Sequence, residues 1–227
     1  MPAAIPFRRD LDFAYGVCAT LSPLIRRVIA NNPGPFTFHG TGTYIIGRGE
    51  VAVIDAGPDL GSHVDALLSA LQGETVSHLL VTHTHRDHSP ATRYLKEACG
   101  AKSYGFGPHG RGESGDDVEE GADNDFAPDV TLRDGDVIKG AGWTLEAIHT
   151  PGHTSNHLCY ALAEESALFS GDHVMGWSTT VVSPPDGNMA DYMASLARLG
   201  ARPETTFWPT HGRSIEAPAA FGAALIA

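Results

Sequence analysis

The stretch that decides the fold is VTHTHRDHSPAT, residues 81–92. It places three histidines and an aspartate within six positions, directly after the apolar residues Leu79, Leu80 and Val81. A buried strand ordinarily ends in Gly, Pro, Asn, Asp or Ser, and imidazole and carboxylate groups lose favourable hydration when they are buried. A bound divalent cation would compensate for that loss. We therefore interpret this stretch as the start of a metal site at the end of a strand.

The spacing within this stretch predicts which side chains act together. In an extended chain, residues two positions apart point the same way, so His83 and His85 can bind one ion. Asp87 and His88 follow where the chain bends into a helix, and they can face a second ion. Imidazole together with carboxylate suits zinc, and also iron or manganese. The stretch alone therefore predicts part of the ligand set for two ions.

Three later residues extend this set, each at the end of a predicted strand. His153 lies in HTPGHTSNH, Asp172 in FSGDHVMG and His211 in WPTHG. Loops at strand ends commonly carry functional residues, and a carboxylate such as Asp172 is suited to bridging two cations. A single histidine at a strand end would be an ordinary turn residue. The ordered combination of five histidines and two aspartates is what predicts a metal centre.

Length and composition limit the possible classes of protein. The 227 residues predict a single domain over 1–227 with a sizeable core. The net charge of −12 repels phosphate backbones at long range and disfavours RNA as a partner, although a local basic contact stays open. The N-terminus lacks the layout of a signal peptide, and no apolar run approaches the ~20 residues that span a membrane. We expect a cytoplasmic protein without a membrane segment, acting on a small molecule.

Cysteine usage points to the same conclusion. The chain contains Cys18, Cys99 and Cys159, an odd number that is scattered and lacks a CxxC motif. This pattern predicts no disulfide framework and favours core or bystander thiols.

Apolar periodicity predicts alternating strands and helices. The predicted strands are two or three antiparallel strands in 36–57, then 77–82, 101–106, a hairpin in 130–138, 143–150, 157–162, 167–172 and 205–212. The predicted helices are 63–71 with Ser62 as a cap, 91–99 ended by Gly100, 189–199 and a short one in 217–227. Two successive groups of strands and helices favour an α/β fold, an αββα sandwich of two mixed β-sheets flanked by helices. Residues 107–129, rich in Gly and acid, predict a solvated loop that is either plain or a lid.

These motifs resemble the metallo-β-lactamase superfamily. The resemblance rests on HxHxDH at 83–88, TPGHT at 150–154, SGD at 170–172 and PTHG at 209–212, and it covers roughly residues 40 to 215. It implies a first metal site of His83, His85 and His153, a second of Asp87, His88 and His211, Asp172 as the bridge, and Asp55 in VIDAG as a supporting partner.

Longer stretches are similar to the LACTB2-like branch near the glyoxalase II group, whose members are described as endoribonucleases or as thioesterases. These stretches are THTHRDHS, TPGHTSNH and SGDHVMGWSTTVV. Ser89-Pro90-Ala91 stands where relatives commonly have a Gly pair, and the winged-helix-like C-terminal extension of many relatives is absent from this chain. The resemblance implies two Zn²⁺ ions, with Fe or Mn as alternatives. It further implies a dinuclear hydrolase whose metal-bridging hydroxide attacks a small ester, thioester or lactone.

Two residues are candidates for a catalytic role beyond metal binding. Asp87 can orient the attacking water. His157, four residues after His153, either contacts substrate and donates a proton or makes a structural hydrogen bond. We expect His173 to be structural because neighbours in a strand point opposite ways, and Trp177 either lines the pocket or packs. The histidines without metal spacing are His39, His63, His78, His109 and His149.

Other functions remain as alternatives. A metal-dependent endoribonuclease is the second candidate, and its possible phosphate contacts are Arg86, Arg93, Lys96, Arg111 and Arg213. Weak β-lactamase side activity is compatible with the motifs, whereas a dedicated, exported β-lactamase is disfavoured without a signal peptide. A one-iron dioxygenase would tend to lose the second-site ligands, and a diiron protein would need a flavin domain. A non-catalytic metal-holding module is disfavoured because no ligand is missing.

Overall fold

The computed structural model describes residues 5–110 and 121–227. Two β-sheets lie face to face with helices on both outer sides, which confirms the αββα sandwich. The first sheet contains β1 (Ala19–Thr20), β2 (Ile25–Ile29), β3 (Gly42–Arg48), β4 (Glu50–Ile54), β5 (Thr75–Leu80), β6 (Lys102–Gly105) and β7 (Val130–Thr131). The second contains β8 (Val137–Gly140), β9 (Trp143–His149), β10 (Leu158–Leu162), β11 (Ala167–Gly171) and β12 (Thr206–Pro209).

Three of the four helices connect parallel strands. The helices are α1 (Gly61–Ala70), α2 (Thr92–Cys99), α3 (Met189–Gly200) and α4 (Pro218–Ile226), and α4 follows the last strand. The first sheet is antiparallel from β1 to β4 and parallel from β4 to β7. The second is antiparallel from β8 to β11, and β12 runs parallel to β11. Parallel neighbours need crossover connections, which α1, α2 and α3 provide. Among the described residues no helix is long and apolar enough to cross a bilayer.

The core has three layers because each strand buries alternate side chains on opposite faces. Between the sheets, Tyr44, Ile46 and Ile54 belong to the same buried cluster as Tyr160 and Phe169. A second cluster joins the outer face of the first sheet to α1 and α2, and a third joins the outer face of the second sheet to α3 and α4. This packing brings the ends of strands from both sheets to one edge, where polar side chains follow them.

The hairpin predicted for residues 130–138 is wrong. β7 pairs in parallel with β6, whereas β8 pairs antiparallel with β9, so this segment crosses from one sheet to the other. The Asp-Gly turn itself exists, with Gly135 at a φ of +81°. Asp134 accepts hydrogen bonds from the His149 backbone and from Arg198, which fixes the turn on the second sheet. The predicted turn is therefore present, but the predicted pairing of the two strands that flank it is wrong.

Two other details differ from the predictions. α1 begins at Gly61 after Leu60, and no side chain caps it, so Ser62 is not the cap. The two strands β1 and β2 precede the region in which the sequence pattern predicted the first strand. The end of α2 is as predicted, because Gly100 adopts the left-handed conformation there.

The segment predicted as a solvated loop, 107–129, is partly integrated into the fold. Residues 111–120, which include Arg111, lie outside the described residues. On the C-terminal side, Asp123 donates its backbone N–H to Thr84 O at 2.8 Å, and Arg86 donates to Gly121 O at 3.0 Å. Phe126 is buried. This part of the segment therefore lines the back of the HxHxDH turn.

Candidate metal centre

All seven predicted ligands meet at one edge of the sandwich, and all are buried. The segment 83–88 follows β5, His153 follows β9, Asp172 follows β11 and His211 follows β12. Ligand atoms within 4.8 Å of one another form the groups His83/His85/His153, His83/His88/Asp172 and Asp87/His88/His211. We refer to the first group as the three-histidine half and to the last as the carboxylate half, with Asp172 between them.

The three-histidine half brings three ring nitrogens together. His83 Nε2 lies 3.0 Å from His85 Nδ1 and 3.2 Å from His153 Nε2. Two nitrogen ligands about 2.0–2.1 Å from a tetrahedral zinc would be roughly 3.3 Å apart. The observed spacing therefore fits a divalent cation.

The carboxylate half is built around two carboxylate oxygens. His211 Nε2 lies 3.2 Å from Asp87 Oδ2 and 3.2 Å from Asp172 Oδ2. His88 Nε2 lies 3.2 Å and 3.5 Å from the same two oxygens. Asp172 Oδ1 is buried and has no hydrogen-bond partner within the described part of the chain. A buried carboxylate oxygen without a donor fits a second cation.

Backbone carbonyls orient two of the histidines. His153 Nδ1 lies 2.8 Å from Val181 O, and His211 Nδ1 lies 3.2 Å from Gly40 O. Because a carbonyl only accepts, each ring donates through Nδ1, and its Nε2 lone pair faces the centre. This is the usual arrangement of a metal-binding histidine.

Asp55 orients His88 and links it to the strand ends. Its carboxylate accepts from the backbone N–H of Thr82 at 2.8 Å and from the Thr82 hydroxyl at 2.7 Å, and it lies 2.9 Å from His88 Nδ1. Asp55 has a φ of +54°, a region that few residues other than Gly adopt and that is often found at functional sites. Thr41, which the sequence analysis missed, donates its hydroxyl to Asp87 Oδ2 at 2.8 Å.

The two halves differ electrostatically. Burial lowers the pKa of His83 and His85 well below the ordinary value, and neighbouring imidazoles lower it further. Burial acts in the same direction on His211, but Asp172 and Asp87 outweigh it and raise the pKa to about 10. His83 and His85 are therefore neutral, whereas the two carboxylates make the carboxylate half attract positive charge.

The pocket in front of the ligands has apolar walls. It is lined by Phe36, Thr37, Met175 and Val181 together with His85, Asp87, His153, Asp172 and His211. Neither Lys nor Arg is among these lining residues. Trp177 is also not among them; its ring stacks on Phe38, with centroids 4.6 Å apart and planes 8° apart. Trp177 thus packs against Phe38, outside this set of lining residues.

His157 lies behind the ligands rather than in the pocket. It is fully buried, its Nε2 accepts from the Asp172 backbone N–H at 3.2 Å, and its Nδ1 lies 2.8 Å from the Thr150 hydroxyl. Both ring nitrogens are therefore engaged, which favours a positioning role over substrate contact. His173 is also buried, its ring lies 4.7 Å from that of Tyr192, and neither ring nitrogen has a hydrogen-bond partner among the described residues.

The structure adds contacts that the sequence analysis did not predict. Asn156 donates its side-chain amide to the Thr84 hydroxyl at 2.9 Å and to Pro108 O at 3.1 Å. His109, which has no metal spacing, lies 3.0 Å from the Thr84 hydroxyl with its ring 6.2 Å from that of His85. An Asn three residues after a ligand is the only sequence hint of this network.

Most candidates for a phosphate contact are engaged elsewhere. Arg93 pairs with Asp59, Lys96 with Asp129, and Arg213 with Asp10, at 2.5, 2.5 and 2.6 Å. Arg86 donates to Ala122 O behind the HxHxDH turn.

With this geometry in place, comparison with known proteins gives the class. The family model described as the metallo-beta-lactamase superfamily matches residues 37–211. A crystal structure of a metallo-beta-lactamase family protein from Thermus thermophilus superposes with a TM-score of 0.76 at 23% identity, over 91% of this chain and 79% of that one. The chain belongs to the metallo-β-lactamase superfamily.

Two curated relatives indicate its position within the superfamily. An atrochrysone carboxyl ACP thioesterase from Cryptosporiopsis sp. is 34% identical over 88% of this chain. A beta-lactamase-like protein 2 homolog from Caenorhabditis elegans is 34% identical over 86% of this chain. The chain spans 61% and 64% of the length of these two relatives. The similarity to the LACTB2-like branch is thereby confirmed.

Proposed function

We propose that this chain is a dinuclear metal-dependent hydrolase of small acyl thioesters, with zinc as the cation. The observation that carries the proposal is the pocket itself. Phe36, Met175 and Val181 form an apolar wall opposite buried imidazoles and carboxylates. Such a wall offers apolar contacts to an acyl group, whose carbonyl would face the polar side.

In this proposal the three-histidine half holds one cation, the carboxylate half holds the other, and Asp172 contributes to both. Bound there, the two cations would supply a nucleophile derived from water at neutral pH and would polarise the acyl carbonyl. Imidazole and carboxylate donors suit zinc, iron and manganese, and the three closely spaced nitrogens favour zinc among them.

The chain's own residues complete the chemistry. Asp87 lines the pocket, and its Oδ2 is held by Thr41, so the carboxylate is fixed in a position to orient water. His157 holds the Asp172 backbone from behind and has no free nitrogen to serve as a proton donor. Phe36 and Val181 line the pocket and offer apolar contacts to an acyl chain.

The absence of a free acid at His157 favours a thioester over an ordinary ester. A thiol has a pKa of roughly 8.5, so a thiolate leaves without a proton donor near neutral pH. An alkoxide is far more basic and would need one. The thioesterase among the curated relatives supports the same choice.

An endoribonuclease is the second candidate, and the beta-lactamase-like protein 2 relative is the reason to test it. The pocket geometry weighs against it. Arg93, Lys96 and Arg213 each pair with a carboxylate. RNA binding depends on cations that neutralise phosphates.

The test is a hydrolysis panel on zinc-loaded protein. The panel contains a hexanoyl thioester, an acyl lactone, a β-lactam and a short single-stranded RNA, and His83→Ala serves as the metal-site control. We expect the thioester to have the highest kcat/KM and His83→Ala to lose that turnover while circular dichroism shows an intact fold. RNA cleavage that exceeds thioester turnover and vanishes in His83→Ala would replace the proposal with the nuclease. An equal thioester rate in His83→Ala would exclude metal-dependent hydrolysis.

A further inference from the structure

The turn that carries His211, residues 209–212, is held by the opposite sheet. Three of its backbone carbonyls accept hydrogen bonds from β2 and β3. The pairs are Tyr44 Oη to Pro209 O at 2.7 Å, Gly42 N to Thr210 O at 2.9 Å, and Arg27 Nη1 to Gly212 O at 2.8 Å. The last ligand of the second sheet is therefore positioned by strands of the first.

Arg27 is unusual among these three donors. Only 6% of it is exposed, and within residues 5–110 and 121–227 no carboxylate lies within ion-pair distance of it. Its neighbour Arg26, which points to the other face of β2, pairs with Glu74 at 2.6 Å. A buried cation without a counter-ion is costly. Specific contacts must therefore account for Arg27. The shortest is the hydrogen bond to Gly212 O, and Tyr44 adds a longer one to its hydroxyl at 3.5 Å and a ring face 5.9 Å from the guanidinium carbon.

The contact lies next to a ligand that tolerates little movement. Gly212 adopts a φ of +90°, and a Cβ there would lie 3.2 Å from the Trp177 ring, so the turn is closely packed on that side. His211 Nε2 lies 3.2 Å from a carboxylate oxygen of both Asp87 and Asp172. A small displacement of the turn would change both distances.

We propose that Arg27 is a positioning residue that fixes the 209–212 turn, and so sets the cation affinity of the carboxylate half. A charged donor forms a stronger hydrogen bond to a carbonyl than a neutral donor does, so Arg27 contributes more than a backbone amide would. The proposal rests on the two-cation site of the proposed function. It assigns no substrate contact to Arg27.

The experiment titrates metal-free protein with Zn²⁺ by calorimetry and with Co²⁺ by absorption spectroscopy. It compares the wild type, Arg27→Met, Arg27→Lys and the matched control Arg26→Met. We expect Arg27→Met to bind the cation of the carboxylate half about 10–100-fold more weakly, the range for loss of a supporting contact. The cation of the three-histidine half should bind as in the wild type, and Arg26→Met should match the wild type at both. Arg27→Lys should recover part of the affinity, because an ammonium can donate to Gly212 O.

The outcomes separate this inference from the proposed function. If the wild type binds a single equivalent, the two-cation proposal fails, and Arg27 has no second site to set. If the wild type binds two equivalents and folded Arg27→Met binds both with wild-type affinity, the positioning role is overturned. Equal weakening of both equivalents would overturn it as well, because that pattern reports a general loss of stability. If Arg27→Met does not fold, Arg27→Lys decides by the same criterion of selective weakening.

Discussion

The two halves of the metal centre use the same imidazole chemistry in opposite electrostatic surroundings. In the three-histidine half, burial lowers the pKa of His83 and His85, so the rings are neutral ligands with or without an ion. In the carboxylate half, Asp172 and Asp87 overcome burial and raise the pKa of His211 to about 10. His83 and His85 can therefore bind a cation without first losing a proton. The carboxylate half holds positive charge in either case, as a cation or as protons. Neighbouring carboxylates therefore determine whether a buried histidine is protonated when no metal ion is bound.

The supporting contacts differ in the same way. A backbone carbonyl orients one ring in each half, Val181 O for His153 and Gly40 O for His211, but only the second half adds charged supports. In the second half, the charged Asp55 orients His88 and the buried cation Arg27 holds the turn that carries His211. The carboxylate half therefore depends more on charged partners, and substitutions of those partners should distinguish the two halves.

The largest expected effect comes from Asp172→Ala, which removes the carboxylate that lies between the two halves. Its Oδ2 lies near both His88 and His211, and Asp172 also groups with His83. We expect both cations to bind more weakly, by more than the about 100-fold that loss of a supporting contact costs. Metal content per chain after dialysis measures this. The control is the exposed Asp65→Ala, and loss of one ion alone would show that Asp172 serves only one half.

A smaller effect is expected for Asp55→Asn, which keeps the shape but removes the charge. We expect cation affinity in the carboxylate half to fall about 10–100-fold, because His88 loses its charged partner. The three-histidine half should fall less, since Asp55 reaches His83 only through the Thr82 hydroxyl. Two-site calorimetry separates the two affinities, with exposed Asp59→Asn as the control. If cation affinity fell more in the three-histidine half, that half would be the one that depends more on charged supports, contrary to our inference.

The sequence was sufficient to predict which seven side chains meet at one edge of the sandwich, and the family resemblance implied Asp55 as a support, but Arg27 and Thr41 were not predicted. Seven polar side chains at strand ends have no packing explanation, so their chemistry is visible in the chain itself. Arg27 carries no such signal, because its partner is the carbonyl of Gly212, 185 residues away, and only the packing of the two sheets brings them together. Every residue type has a backbone carbonyl, so a contact to one cannot be predicted from the identity of the accepting residue.

The fold was predictable to a similar depth. Strand and helix periodicity indicated the layers, because the helices bury one face and the strands form short apolar or alternating runs. The error at 130–138 arose because Asp134-Gly135 specifies a turn, while the choice of partner strand depends on sheet registry. Sequence pattern alone cannot tell a hairpin from a crossing between stacked sheets when both use the same turn.

His63 extends the comparison to a buried imidazole outside the metal centre. It is 2% exposed, its Nε2 lies 2.9 Å from the Thr43 hydroxyl, and burial lowers its pKa to about 4. The unfolded chain takes up a proton near pH 6.5 and the folded chain only near pH 4. The unfolded state therefore binds more protons in this window, and stability falls as the pH drops through it.

His63→Gln keeps a polar side chain there without the titration. From pH 7 to pH 5 we expect the wild type to lose about 2 kcal/mol more of its free energy of unfolding than the variant does. Urea denaturation at the two pH values measures this, and His39→Gln shows the effect of replacing a half-buried imidazole. Equal losses in wild type and His63→Gln would mean that burial without carboxylates does not depress the pKa as we infer.

The smallest expected effect tests the apolar wall against both metal-binding halves. Phe36 is 36% exposed and lines the pocket. Its side chain has no group that could bind a metal ion or a ligand residue by a hydrogen bond, so Phe36→Ala should leave metal content unchanged. We expect kcat/KM for a hexanoyl thioester to fall about tenfold relative to that for an acetyl thioester, because only the longer chain reaches the aromatic face. Val137→Ala, which removes an exposed apolar side chain on β8, is the matched control. If both thioesters lose the same factor, Phe36 supports the site as a whole, and substrate selection must then come from the metal-binding side of the pocket.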